Sequence, residues 1–95
     1  MHRVSTADIE RVVRRDFPPA DVGEVFRLLS VYGRERNEAA PHFMRLAILR
    51  LATGQKDELE SWLERAHRQS HVVIATLHER YGAGWLEPFL YHGGA

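Results

Sequence analysis

The segment at residues 43–52 restricts the fold of this 95-residue chain more than any other feature. Its apolar side chains recur at almost every angular position of a helix, and such a helix must be covered on several sides. Arg45 and Arg50 interrupt it, and it is far shorter than the roughly 20 residues of a membrane-spanning helix. We therefore predict a helix that opens at Pro41 and is buried in a bundle, covered by its own chain or by a partner.

Two further helices are expected before this segment. Ser5 or Thr6 is the expected N-cap of the first helix, because a short polar side chain there accepts a hydrogen bond from the first turn. The helix stops at Pro18, since the residue before a proline is pushed out of the helical region. Pro19 suits the first turn of the second helix, and Gly33 is the expected cap at its C-terminal end.

A fourth helix is expected after Gly54, which ends the third. Asp57 and Glu60 have the spacing of a capping box, which predicts where the fourth helix starts. Its apolar positions recur every three or four residues with no glycine or proline between them, so we predict an uninterrupted helix to Arg80 or Tyr81, capped by Gly82. At the usual helical rise it is roughly 35 Å long.

No stretch of the sequence alternates between apolar and polar residues as a strand does. We therefore predict an all-α fold: one domain over residues 1–95, with four helices, a long C-terminal helix and an apolar tail. Residues 1–4 and 93–95 are expected to be disordered. The helical periodicity predicts a core that contains Ile9, Val13, Val25, Leu29, Leu46, Leu49, Leu63, Val73 and Leu77.

The charge balance restricts the possible partners. Lysine plus arginine number 13, as do aspartate plus glutamate, and there is no cysteine. A balanced chain creates no long-range field that attracts nucleic acid, and a chain without cysteine has no disulfides or thiolate zinc sites. The N-terminal residues lack the apolar run of a signal peptide, and a cytoplasmic location is expected. No membrane partner is expected.

The fourth helix carries a stripe of potential metal ligands: Glu64, His67, His71 and His78. In a regular helix these side chains fall on one face, and histidines four residues apart can bind a metal ion together. The same stripe is also typical of a solvated helix face, with glutamate paired to a nearby cation. We favour the solvated face and predict no metal, cofactor or catalytic residue.

The tail after Gly82 is rich in aromatic and aliphatic residues and must be covered. Trp62 and Trp85 are either interface anchors or core residues. We predict that part of the third helix and the tail form an interaction surface, in a homodimer or with another protein. The alternative is that the tail folds back and covers its own third helix. The residues expected on the interaction surface are Met44, Ile48, Trp85, Phe89 and Tyr91.

Three functions follow from these features. The favoured one is a non-enzymatic protein–protein interaction module. The second is a small metal-dependent enzyme that uses the glutamate–histidine stripe. The third is a nucleic-acid-binding domain, with Arg45 and Arg50 as its basic candidates. The connector at residues 34–40 is longer than the turn of about three or four residues in a helix-turn-helix.

Several segments together carry a resemblance to a known family. They are the Tyr-Gly pair at 32–33, the helix at 45–54 with its Arg-x-Ala-x-Leu-x-Leu-Ala-x-Gly pattern, and the Phe-Pro-Pro element at 17–19. The chain resembles a family of small uncharacterised bacterial all-helical proteins that have no assigned activity. The resemblance implies an all-helical fold and no mechanism. Where that family carries an acidic, an aromatic and a basic residue, this chain has Gln-Ser-His-Val at 69–72.

Overall fold

A computed structural model describes residues 4–32 and 41–92 of the chain. The described residues contain no strand, and the predicted all-α class is confirmed. The predicted cap at Gly33 and the connector after it lie outside the described residues, as do the predicted disordered ends, apart from residue 4. The helices are α1 (Thr6–Asp16), α2 (Pro19–Val31), α3 (Pro41–Ala52), α4 (Lys56–Tyr81) and α5 (Leu86–His92).

Local sequence signals set the limits of α1 and the start of α2. Ser5 is the N-cap, and its hydroxyl accepts a hydrogen bond from the Asp8 amide while the Asp8 carboxylate accepts one from the Ser5 amide at 3.0 Å. This reciprocal pair satisfies donors that the first helical turn leaves free. Phe17 is extended before Pro18, and Pro19 opens α2. These three predictions are confirmed.

The third helix is the centre of the bundle, as its apolar pattern predicts. Four consecutive side chains, at residues 46–49, are at most 1% exposed. α3 packs against both α1 and α4, and α2 packs against α1 and α4. Each of the predicted core residues is buried. The core therefore forms around a helix that is covered by its neighbours in the same chain.

A tight turn joins α3 to α4 and fits against the end of α1. Thr53 and Gly54 both have positive φ angles, of 50° and 76°. A Cβ atom on Gly54 would lie 2.7 Å from the carbonyl oxygen of Asp16, so this position requires glycine for its conformation and for the close approach. The predicted end of α3 at this turn is confirmed.

The start predicted for α4 is wrong. The helix begins at Lys56 with Gln55 as N-cap, and no side chain caps it. The two-residue turn leaves Gln55 extended, so the chain is already helical at Asp57. The carboxylate of Asp57 lies in the first turn, where the helix dipole favours a negative charge without a capping box.

The predicted uninterrupted course of α4 is also wrong, because Gln69 is non-helical with φ −147° and ψ 71°. A straight helix of 26 residues is about 39 Å long, whereas the longest dimension of the molecule is 31 Å. The bend divides α4 into a first half, residues 56–68, and a second half, residues 70–81. Both halves contribute buried side chains to one core: Leu59, Leu63 and Ala66, and Val73 and Leu77.

The length of α3 gives the physical reason for the bend. α3 has 12 residues and is only about 18 Å long. A straight α4 would run well beyond α3 and leave Val73 and Leu77 uncovered. Burying these two side chains together contributes about 3–6 kcal/mol, which exceeds the cost of about 1–3 kcal/mol for one strained backbone residue.

The apolar tail forms α5, which packs against its own chain. Trp85, Phe89 and Leu90 are buried. The Trp85 ring lies 5.5 Å from the ring of Phe43 on α3. Arg15 on α1 donates hydrogen bonds to the carbonyl oxygens of Phe89, at 2.6 Å, and Leu90, at 3.3 Å. The sequence allowed the tail to contact a partner or to fold back. In the structure it packs against the third helix of its own chain.

Candidate functional site

The potential metal ligands on α4 do not form one face. Gln69, where α4 bends, lies between His67 and His71 and interrupts the regular spacing on which that geometry depends. The Glu64 carboxylate lies 3.1 Å from the Arg68 guanidinium, and the ring of His67 lies 5.4 Å from the buried ring of Tyr32. In the described ranges, no three histidine or acidic residues are grouped so that they could hold a metal ion. His78 is exposed on the second half of α4.

Four of the five residues predicted for an interaction surface lie inside the chain. Met44, Ile48, Trp85 and Phe89 are at most 4% exposed, whereas Tyr91 is 56% exposed. α5 thus has a buried and an exposed side, and the guanidinium carbons of Arg15 on α1 and Arg50 on α3 lie 5.0 and 5.5 Å from the Phe89 ring centroid. An interface built on the four buried side chains would require α5 to leave its own chain.

The basic residues considered for nucleic-acid binding have partners within the chain. Arg45 donates hydrogen bonds to the carbonyl oxygens of Leu29, at 3.0 Å, and Tyr32, at 2.6 Å, at the end of α2. The guanidinium carbon of Arg50 lies 3.6 Å from the ring centroid of Tyr81. These contacts fix the ends of α2 and α4, where positive charge meets the negative end of a helix. Neither arginine is therefore a free cation that could bind nucleic acid.

The bend in α4 creates a different group of side chains, which we call the Trp–Arg patch: Trp62, Arg65 and Arg80. Trp62 and Arg65 are neighbours on the first half, three residues apart. Arg80 comes from the second half, and its guanidinium carbon lies 5.6 Å from the Trp62 ring centroid; that of Arg65 lies 5.9 Å away. In a straight helix, Trp62 and Arg80 would be about 27 Å apart along the axis. The patch therefore depends on the bend.

The electrostatics of the patch are unbalanced. Neither Arg65 nor Arg80 forms an ion pair or hydrogen bond with any described residue, and both are exposed. Trp62 is partly buried, and the electron-rich face of its ring attracts both guanidiniums. The two cations nevertheless repel each other, and no carboxylate of the described residues neutralises them. An anionic group placed here would gain charge-assisted hydrogen bonds.

An open cavity of about 470 Å³ adjoins the patch. It shares Arg65 with the patch, and its lining is polar: Ser61, Glu64, Arg65, Arg68 and Gln69. Since Glu64 is already paired with Arg68, the cavity presents hydroxyl and amide groups beside the patch. The cavity can therefore accept a polar side chain from a molecule that contacts Trp62.

An exposed ion pair on α2 changes the pKa values of both its partners. The Arg27 guanidinium donates hydrogen bonds to the Glu24 carboxylate, which lowers the pKa of Glu24 and raises that of Arg27. For Glu24 the hydrogen bond from Arg27 outweighs desolvation, which acts in the opposite direction on its pKa. The pair is a surface contact of a helix, with spacing i, i+3.

Part of the Trp–Arg patch is visible in the sequence. Trp62 was expected to be an interface anchor or a core residue, and the nearby Arg65 stands at a spacing that brings helical side chains together. Arg80 was not expected, since only the bend brings it to Trp62.

None of the described helices is both long and apolar enough to cross a membrane. No protein-family model, curated protein or solved structure matches the chain in the comparisons. The resemblance to small bacterial helical proteins therefore stays a prediction.

Proposed function

We propose that this chain is a non-enzymatic module that binds another protein through the Trp–Arg patch. The observation that carries the proposal is that two guanidiniums lie against one partly exposed tryptophan. Neither guanidinium has a carboxylate partner among the described residues. Tryptophan and arginine are among the residues enriched at the positions that dominate binding energy at protein interfaces.

The scaffold supports binding, because the patch stands on helices that the core holds in place. Leu63 on the first half of α4 and Leu77 on the second are buried against the same core. A site held in its binding geometry loses little conformational entropy when a partner arrives. The patch has no need of a catalytic group, a metal or a cofactor to perform this function.

The two other functions receive less support from the geometry. The enzyme interpretation depended on a regular stripe through His67 and His71, which the bend interrupts. The nucleic-acid interpretation depended on Arg45 and Arg50, whose guanidiniums contact α2, Tyr81 and other groups of the chain. Self-association stays a prediction, and a second copy of the chain is one partner that the following experiment can identify.

Photo-crosslinking in cells that naturally produce the chain tests the proposal. A photoreactive amino acid replaces Ser61, which is exposed beside Trp62, or Ala20, which is exposed on α2 and serves as the control. We expect a discrete adduct from position 61 that disappears in the R65A/R80A variant, and none at position 20. No adduct at position 61, or an adduct that the double substitution leaves unchanged, would overturn the proposal. Circular dichroism verifies that each variant is folded.

A further inference from the structure

We infer that the partner segment recognised by the Trp–Arg patch is a short acidic peptide segment in which carboxylates flank an apolar side chain. The inference rests on the proposed function and names the chemistry of the partner. It follows from the charge, the ring and the surroundings of the patch.

The charge of the patch favours carboxylates. Arg65 and Arg80 present planar guanidiniums that find no anion among the described residues. A guanidinium matches a carboxylate with two parallel hydrogen bonds. Because the guanidinium carbons lie 5.9 and 5.6 Å from one ring centroid, a single short segment can reach both. Two carboxylates on the partner would neutralise the patch.

The ring of Trp62 accounts for the apolar side chain. The ring is partly exposed, and contact with an apolar side chain removes its remaining surface from water. Exclusion of water also strengthens the attraction between the guanidiniums and the ring, because a desolvated cation–π contact is stronger than an exposed one. The best partner therefore places an apolar residue between its carboxylates.

The surroundings of the patch disfavour a long polyanion such as nucleic acid. Glu79 stands next to Arg80 in the sequence, and Arg68, a cation that lines the adjoining cavity, is already paired with Glu64. The chain has no net charge, whereas nucleic-acid binding depends on several cations that neutralise successive phosphates. A short segment can contact the two guanidiniums and avoid Glu79. The structure thus favours an acidic peptide.

The test is an NMR titration of the full-length, nitrogen-15-labelled chain. The probes are a short peptide that alternates glutamate and leucine, the same peptide with glutamine for glutamate, a single-stranded DNA oligonucleotide and inorganic phosphate. We expect shifts centred on Trp62, Arg65 and Arg80 with the glutamate peptide, and at least tenfold weaker binding of every other probe. The R65Q/R80Q variant should bind the glutamate peptide at least tenfold more weakly. R27Q, which removes an arginine from α2, is the matched control and should bind as the wild type does.

Several results would overturn the inference. Equal binding of the glutamine peptide would show that charge is not recognised, and tighter binding of DNA would make the partner a nucleic acid. Binding of phosphate as tight as that of the peptide would reduce the patch to a general anion site. Absence of binding by all four probes would also contradict the inference. If crosslinking at position 61 nevertheless identifies a partner protein, the proposed function stands and only the chemistry named here fails.

Discussion

The contact between Trp62 and Arg80 provides a direct test of the bend in α4. Replacing Trp62 by leucine and Arg80 by methionine removes the ring and the charge while keeping an apolar side chain at each position. In the structure the guanidinium lies 5.6 Å from the ring centroid, and a cation–π contact at an exposed site contributes about 0.5–1 kcal/mol. In a straight helix the two residues would be about 27 Å apart and could not interact directly.

Urea unfolding of the wild type, both single variants and the double variant gives the coupling free energy. We expect a coupling of about 0.5–1 kcal/mol, the range for exposed cation–π pairs. The matched control is Arg68→Met, since Arg68 is paired with Glu64; its coupling with Trp62→Leu should be close to zero. Additive effects of the Trp62 and Arg80 substitutions would refute the bent arrangement.

A chemical crosslink tests the same geometry without depending on an energy. The chain has no cysteine, so cysteines introduced at positions 62 and 80 are the only thiols. A short bis-maleimide should join them within one molecule at low protein concentration. If they fail to crosslink while both remain reactive to a single maleimide, the two halves of α4 do not approach each other.

Three further predictions concern stability and local order. Leu63→Ala should lower the free energy of unfolding by about 2–5 kcal/mol, because the side chain is buried; a smaller loss in urea unfolding would contradict its place in the core. The pKa of Glu24, measured by NMR, should lie below the usual glutamate value because of Arg27, and rise towards that value in Arg27→Ala. The stabilisation by this pair is present above the unfolded-state pKa and is lost as the pH falls through the folded-state pKa; an unchanged pKa in the variant would exclude the pair. Arg15→Met should speed hydrogen exchange in α5 but not in α3, since it removes hydrogen bonds to the α5 carbonyls; equal effects in both helices would contradict a local role.

The central helix and much of the core could be predicted because one local pattern required them. A segment that is apolar on almost every side has no stable exposed position, and the structure buries residues 46–49 accordingly. Pro18 and Gly54 predicted their boundaries because proline restricts the backbone, whereas glycine permits the positive φ angle of the turn. Such signals depend on a few adjacent residues and do not require knowledge of the rest of the fold.

The bend at Gln69 could not be predicted in this way. No proline or glycine marks it, and the apolar positions before and after it continue the spacing of a regular helix. The cause is tertiary: α3 is too short to cover a straight α4, so the second half gains burial by turning back. Because only this bend brings Arg80 to Trp62, local sequence patterns could not predict the complete patch.

The molecule that covers the apolar tail could not be predicted from the sequence, for a different reason. Its aromatic residues predicted a surface that must be covered, but they did not determine which molecule covers it. In the structure Trp85 and Phe89 are buried in their own chain, whereas Tyr91 is exposed. The contacts that fix this outcome involve Arg15, more than seventy positions away in the chain. Long-range contacts of that kind leave no periodic pattern.

The bend also links binding at the patch to stability of the fold. A ligand that contacts Arg65 and Arg80 together holds both halves of α4 in the bent arrangement, and the unfolded chain does not present this pair. Binding must therefore raise the free energy of unfolding, in proportion to the logarithm of ligand concentration above Kd. The glutamate–leucine peptide should raise the melting temperature of the wild type, and not that of Arg80→Met. An equal rise in both proteins, measured by differential scanning calorimetry, would show that the ligand binds without bridging the two halves of α4.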